Sequence, residues 1–594
     1  MLLLLPFLLV LGLFLPGFFF AKCVRLPASW AAGFPFSLVV LFHIVFWLGI
    51  FHVPITLWTV LPGLLGVSAV VGWLARHNQP APLKPRSFGK WDRILLISSG
   101  VVGLALVARS AVSPLIGFDT RFRWDFLAQK ILALGRFDFY PPLTPADFRT
   151  YFYVDGIPPM VSFAHWWMYT SAGQYLPVLI CLFVTAQFVC TLAFTWRTAS
   201  ELFSPRAGVL AAAVLAASPL FFRSVVLGQE TGLTAVSIAA MICYIVTAEA
   251  GGISAMVAAG VAAGLCALSR EYGWIALFCG MIALVWRRQT ARQMIAFAAT
   301  AIAVGAPWYI RNWMIAGNPV YSLSLDGFTV NPIHAGILRQ YNAVLGLPQW
   351  NATTWASLAW LLLTYATFQI LAGIPGGLSQ FRKNGYLLAI AVLLSAVWIQ
   401  SAGYTSGGVV ISTRVLSPMM VVLSITGAGL LTSLVRNERW YPVIATGIIL
   451  CQFWTIAHGA LYPANPADVP VGEWAQKAFH EVPPETEFQI GDRLAASLPA
   501  GSRILTDSAH LHAALVGKGI DVVPVWSPEV RFIFTASPEE SERKLKELRI
   551  ESVAYYPRSL NTLYLNSASP FYAALPHRWH VRAQVPGSFY IVGP

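Results

Sequence analysis

The sequence predicts a polytopic α-helical membrane protein of about fourteen transmembrane helices, ending in a small extracytoplasmic α/β domain. Three observations lead there. Hydrophobic residues fill 57% of the 594 positions and charged residues only 11%, where soluble domains carry about 25% charge; the mean hydropathy is +0.64. The apolar residues are gathered into runs near the ~20-residue length that crosses a bilayer. After Leu461 the composition turns to that of a soluble domain.

Taken in order, the expected spans are Leu2–Phe20, Pro35–Val53, Thr56–Ala75, Ile94–Val112, Leu176–Trp196, Ala207–Phe222 and Thr231–Ala248. They continue with Ser254–Leu268, Gly273–Trp286, Met294–Ile310, Thr354–Leu371, Tyr386–Ser401, Val415–Val435 and Tyr441–His458. The first has no basic residues ahead of it and reads as a retained helix, not a cleaved signal. The seven cysteines sit in or beside apolar runs with no CxxC spacing, so neither a disulfide framework nor a thiolate metal site is indicated.

The net charge of +13 is no nucleic-acid footprint. In membrane proteins Lys and Arg gather in cytoplasmic loops. Lys22/Arg25, Arg76 to Arg93 (with Lys84, Arg86 and Lys90), Arg197/Arg206, Arg287/Arg288/Arg292, Arg382/Lys383 and Arg436/Arg439 all fall on one side when the spans are counted. That side is therefore expected to be cytoplasmic, and Asp119, Glu230, Arg270, Arg311, Arg414 and the chain beyond Leu461 extracytoplasmic. The expected organisation is N-terminal spans over 1–112, an extracytoplasmic loop over 113–174, a transmembrane core over 175–460 and a soluble domain over 461–594. The expected home is the plasma membrane.

Within the long loop, Phe126 to Leu134 has helical apolar spacing beside Gln129 and Lys130 and reads as an amphipathic helix on the membrane interface. In the soluble region Arg503–Thr506, Asp521–Val525 and Ser552–Tyr556 read as buried strands, alternating with helices at Ala509–Val516 and Pro538–Leu548. Ser537, Pro538 and Glu540 predict a capping box at the start of the second helix. Arg578–Val592 reads as a hairpin around Pro586-Gly587.

Chemistry-bearing residues gather on the extracytoplasmic side. Asp119, Arg121, Arg123 and Asp125 crowd into one loop directly after a span, where each ionisable group resists desolvation. Asp155 returns a carboxylate to the surface, and Glu230 stands at a helix mouth. Arg270-Glu271 interrupts an apolar hairpin; Tyr309, Arg311 and Asn312 lie in Pro307-Trp308-Tyr309-Ile310-Arg311-Asn312-Trp313; Arg414 starts a late helix. Singly, each has a plain structural reading: a turn, an interfacial anchor, a helix-end acid. Together they offer carboxylates able to act as base toward a hydroxyl and arginines able to grip a phosphate with two hydrogen bonds. His165, His334, His510 and His512 form no HxxxH or HExxH, and His510 and His512 are expected on the soluble domain's surface.

The ordered pieces resemble the GT-C glycosyltransferases, polytopic enzymes related to the protein O-mannosyltransferases and the lipid A aminoarabinose transferases. They are Asp119, Pro158-Pro159, Ser218-Pro219 followed by Glu230, Leu268-Ser269-Arg270-Glu271, Pro307 to Tyr321, and Thr413-Arg414 with Leu416 and Pro418. The chain departs from the family in carrying several spans before the loop and in splitting an acidic pair into Asp119 and Asp125. The resemblance implies inverting transfer of a hexosyl or pentosyl group from a polyprenyl-phosphate donor to an envelope glycan, lipid or protein hydroxyl at the bilayer. Asp119 or Asp125 would be the base and Glu230 would orient a substrate. Arg121, Arg123, Asp155, Arg270, Glu271, Tyr309, Arg311, Asn312 and Arg414 would bind substrate. No cofactor is implied with certainty, and a divalent metal stays open. The alternatives are a flippase of lipid-linked sugars, which would need charge through the midplane, and a polysaccharide polymerase or ligase.

Overall fold

The computed structural model describes residues 2–26, 28–76, 88–117, 119–321, 323–405, 407–436, 438–461, 491–492, 495–496, 498–557, 559–584 and 590–594, without the side chains of 2, 249–251 and 460–461. Lys84, Arg86, the start of the expected soluble domain at 462–490 and the Pro586-Gly587 turn lie outside the described residues.

Among the described residues nine helices are long and apolar enough to cross a membrane, from Ser29–Ile50 to Tyr441–Gly459, and up to twelve if each of three bent pairs is one span. Fewer segments therefore pass as full spans than the fourteen expected. Glu230–Val246 and Glu271–Trp286 are apolar helices below span length. The bent pairs are Leu5–Leu13 with Leu15–Cys23 (42°), Pro205–Ala216 with Pro219–Val226 (68°) and Ala352–Tyr365 with Gln369–Ser379 (94°). The causes are local. Pro16 and Pro219 fit the first turn of a new helix but disfavour helical backbone in the residue before them. Ser218 then caps the second piece by accepting from the Phe221 N–H.

The 113–174 stretch is more ordered than a loop. A wide turn over Thr120–Asp125 runs into a helix over Phe126–Leu134, the bounds its apolar spacing predicts. Its Phe126, Leu127, Ala128 and Ile131 are buried in protein. They pack toward a further helix, Met160–Ala172, in which every residue is buried. No helical stripe announces that helix in the sequence, because it is apolar or weakly polar all round.

The C-terminal region carries a five-stranded sheet: β1 (Arg503–Thr506), β2 (Asp521–Pro524), β3 (Ile550–Tyr555), β4 (His580–Gln584) and β5 (Tyr590–Gly593), in the order β2-β1-β3-β5-β4. β1 is parallel to β2 and β3, while β5 is antiparallel to β3 and β4. Helices Ala509–Leu515 and Pro538–Glu547 make the crossovers that parallel strands require. Ser537 accepts from the Glu540 N–H, but the reciprocal half of the expected capping box is not formed. The Glu540 carboxylate turns instead to Lys544 one turn on, at 2.8 Å.

Two apolar cores result. One runs continuously through the membrane-length helices. The second joins the sheet to Phe122, Phe148, Phe152 and Val154 of the 113–174 stretch and to Tyr321, Ile333 and Ile337. The sheet thus packs on the segment that carries Asp119. Polar contacts lock the seam: the Trp526 indole donates to the Phe152 carbonyl (2.7 Å), Asn331 donates to the Trp526 carbonyl (2.9 Å), and Tyr341 bonds Asn561.

Candidate active site

Asp119 begins the turn that follows the Lys90–Val112 helix. That turn is pinned from below: Thr120 donates to the Leu227 carbonyl (2.7 Å) and receives a bond from the Gln229 amide (2.7 Å). Gly117 makes the approach possible, since a Cβ there would stand 2.1 Å from Thr120 Oγ1 and 2.3 Å from Gln229 Nε2. The Asp119 side chain meets Arg414 Nη2 at 2.5 Å and Arg123 Nη1 at 3.5 Å.

Arg123 is itself held from behind. Its Nε is 2.7 Å from Asp155, a buried carboxylate that also accepts from the Tyr140 hydroxyl (2.6 Å) and the Tyr151 hydroxyl (3.3 Å). The Tyr153 ring lies 5.0 Å from its guanidinium carbon. The turn that presents Asp155 is fastened by Trp308 and Asn312, which both donate to the Gly156 carbonyl, at 2.8 and 2.7 Å.

Beside this row stands a second. Buried Glu230 accepts from the Trp124 indole at 3.1 Å and lies 3.4 Å from Arg270 Nη1. Arg270 Nε is 3.0 Å from Glu271. Tyr272, two positions after Arg270, and Val415, directly after Arg414, line a small, mainly apolar cavity with Ile238, Ile275, Leu394 and Val397.

Burial by itself would raise the Asp119 carboxyl, but the guanidinium groups of Arg414, Arg123 and Arg270 outweigh it and hold the carboxyl well below the usual carboxylate range. Asp125 has the opposite surroundings. It is fully buried and is bonded by the Tyr169 hydroxyl, the Tyr175 hydroxyl (2.9 Å) and the Gln129 amide (2.7 Å). Burial raises its carboxyl against these bonds.

Of the residues singled out in sequence, the fold brings Asp119, Arg123, Asp155 and Arg414 into one row of ion pairs and Glu230, Arg270 and Glu271 into a second, with Arg270 near enough to act on Asp119. Arg121 lies on the flank toward Asp125 and His510. Tyr309 and Asn312 serve as supports; the Tyr309 hydroxyl donates to the Ala267 carbonyl at 2.6 Å. Arg311 stands apart, its guanidinium 5.0 Å from the rings of both Phe137 and Trp308.

The expectation for the histidines is corrected. His510 stacks edge-on to Phe122 at 4.8 Å, and His512 is buried between Phe126 and Phe152. His334 is buried against Tyr153 and Trp526. They line the seam between the sheet and the Asp119 segment, a placement created by long-range packing that a soluble-region pattern does not reveal. Tyr151, Gln229 and Tyr272 stand within stretches that the sequence marks but carry no charge to give them a role there, and Tyr140 stands outside those stretches. Among the described residues no group of three or more His, Cys, Asp and Glu is placed to hold a metal ion.

The chain is a polytopic helical bundle with an arginine-clasped carboxylate between helix ends and an α/β sheet packed on the segment that carries it. Residues 157–310 match the family of dolichyl-phosphate-mannose-protein mannosyltransferases. No curated protein sequence matches. The fold is similar to ArnT from Cupriavidus metallidurans (13% identity, 84% of this chain and 97% of that one, TM-score 0.51). It is also similar to the archaeal oligosaccharyltransferase AglB from Archaeoglobus fulgidus (12% identity, 85% and 75%, TM-score 0.50). The chain thus carries a segment that matches a sugar-transferase family model, in a fold similar to ArnT and AglB over most of its length.

Proposed function

We propose that the protein transfers a single sugar, with inversion, from a polyprenyl-phosphate donor to a hydroxyl of an envelope glycan, lipid or protein on the extracytoplasmic side of the plasma membrane. One observation carries the reading: Asp119 is clasped by Arg414 and Arg123, with Arg270 close by, in a bundle of membrane-length apolar helices. A donor that is half lipid and half phosphate needs both surfaces at once. Its tail is matched by the apolar surface of the membrane-length helices and its phosphate by Arg270 and Arg414, the more accessible of the arginines near Asp119.

In this reading Asp119 takes the acceptor hydroxyl's proton. Arg270 and Arg414 offset the charge that grows on the departing phosphate. Asp155 and the two tyrosines orient Arg123, which holds Asp119 from the other side. Glu230 keeps Arg270 in place. The C-terminal sheet covers the site and narrows the approach of the acceptor.

The test is transfer itself. Purified protein in bilayer nanodiscs is given radiolabelled polyprenyl-phosphate sugars and an envelope extract, and incorporation is followed for the natural chain and for Asp119→Asn. Incorporation that depends on the lipid-linked donor and is lost in the variant supports the reading. Equal incorporation by both would overturn it. An active reporter fused after Pro594, where the reporter works only outside the cytoplasm, checks the orientation.

A further inference from the structure

The arginines around Asp119 are not equivalent. Arg123 is engaged by Asp155 at 2.7 Å and by Asp119 at 3.5 Å. Arg270 is engaged by Glu271 at 3.0 Å and Glu230 at 3.4 Å. The ion pair of Arg414 among the described residues is with Asp119. The Arg414 and Asp119 side chains keep 17% exposure each, against 8% for Arg123. The Arg414 backbone is anchored, its carbonyl accepting from Ser224 at 2.9 Å. The guanidinium can therefore swing about a fixed point.

What it would swing toward is also built. The Tyr272 hydroxyl is buried and has no hydrogen-bond partner among the described residues. Its charged neighbours are Glu230, Arg270 and Arg414, and Tyr272 lines the mainly apolar cavity. A buried hydroxyl donor without an acceptor is costly. Here it lies within electrostatic reach of both the Arg270 and Arg414 guanidinium groups.

A carboxylate clasped at 2.5 Å by a guanidinium is a poor base, because a proton must compete with the positive charge already there. General bases work best when their proton affinity matches the operating pH. The resting pair is thus incompatible with the task given to Asp119, and something must loosen it.

We propose that Asp119 and the donor phosphate compete for Arg414, so that the carboxylate becomes free to act as base only after the phosphate has settled between Arg270, Tyr272 and Arg414. The inference rests on the donor reading above. In the step, the acceptor oxygen forms a bond to the sugar's anomeric carbon. The bond from that carbon to the phosphate oxygen breaks, and its electron pair stays on the phosphate. The acceptor proton passes to Asp119. The phosphate thus gains a negative charge and draws Arg414 further, while Asp119, losing its partner, gains affinity for the proton. Binding is ordered, donor before acceptor, and a site without donor keeps its base masked.

Farnesyl phosphate, which has a prenyl tail and a phosphate but no sugar, is the probe, titrated calorimetrically into the full chain in detergent. Asp119→Asn removes the competitor for Arg414 and is expected to tighten farnesyl phosphate binding about tenfold, the scale of one charge-assisted hydrogen bond. A merely structural Asp119 would give weaker binding on mutation. Equal or weaker binding by the variant overturns the competition while leaving the donor reading intact. No binding by the natural chain overturns the donor reading, and the competition with it. Should Asp119→Asn not fold, the natural chain labelled with carboxyl-13C aspartate is examined by infrared difference spectroscopy. Farnesyl phosphate is expected to shift an aspartate carboxylate band, and a bound probe without that shift overturns the proposal.

Discussion

Asp119 and Asp125 stand one short turn apart in sequence and in opposite chemical worlds. Asp119 is clasped by guanidinium groups, keeps 17% side-chain exposure and is held well below the ordinary carboxylate range. Asp125 is sealed from solvent, bonded by two tyrosine hydroxyls and an amide, and its carboxyl is raised by burial. The same side chain serves two ends. One arrangement keeps a negative charge near an opening; the other ties the Thr120–Asp125 turn to the Met160–Ala172 helix. Nearness in a motif does not make two acids a catalytic pair. Charge partners and access do.

The sharpest way to break that contrast is to neutralise each acid in turn. Asp119→Asn is expected to lower transfer by about 100- to 10,000-fold, the usual span of a general base. Asp125→Asn is expected to leave transfer per folded molecule within about tenfold and to act mainly through the amount of folded protein, as loss of a buried hydrogen-bonded group does. Single-turnover rates on purified variants decide it, and the reverse outcome would exchange the two roles.

Asp155→Asn comes next. It weakens the tie that holds Arg123 and so misplaces the support of Asp119, with an expected fall in kcat of about 10- to 100-fold and little change in donor KM, because small misplacements cost orientation more than binding. A rise in donor KM at constant kcat would put Asp155 on the donor instead.

The seam between sheet and Asp119 segment should respond to pH. Burial lowers His510 to about 4 and His512 to about 3, Lys130 adding to the effect at His512. Both are depressed relative to the free side chain, so the stability they contribute is complete above the unfolded value of about 6.5. It is lost as pH falls toward those values, since the unfolded chain binds the protons first. The thermal midpoint is expected to drop by several degrees between pH 6.5 and 4, and His512→Phe should flatten that slope. An unchanged slope would remove His512 from the seam.

The smallest expected effect is at Arg311. It lies over Phe137 and Trp308, apart from the ion pairs around Asp119, and we propose that it anchors the interface and does not hold the phosphate. Arg311→Lys keeps a cation over the rings and is expected to leave the donor dependence of transfer unchanged, with activity following abundance. A selective rise in donor KM would restore it to the site.

Much of this molecule is legible along the chain because the forces involved are local. The 126–134 helix starts and stops where its apolar spacing does. Ser218-Pro219 breaks a helix for reasons contained in two residues. The strand–helix alternation after Arg503 announces parallel pairing. The bent pairs and the two short apolar helices blur the span count for a physical reason: hydropathy measures apolar length and not direction, so a helix folded at 94° looks the same as a straight one.

By itself, then, the sequence determined that the chain needs a bilayer and which charges cannot be left in lipid. Those follow from composition and the cost of desolvation. Only the tertiary structure decided that Arg414 reaches across 295 positions to Asp119, that Asp125 is walled off, and that His510 packs against Phe122 beside the Asp119 turn. Each of those depends on which helix ends meet, and a charge takes its character from neighbours that the chain supplies from far away.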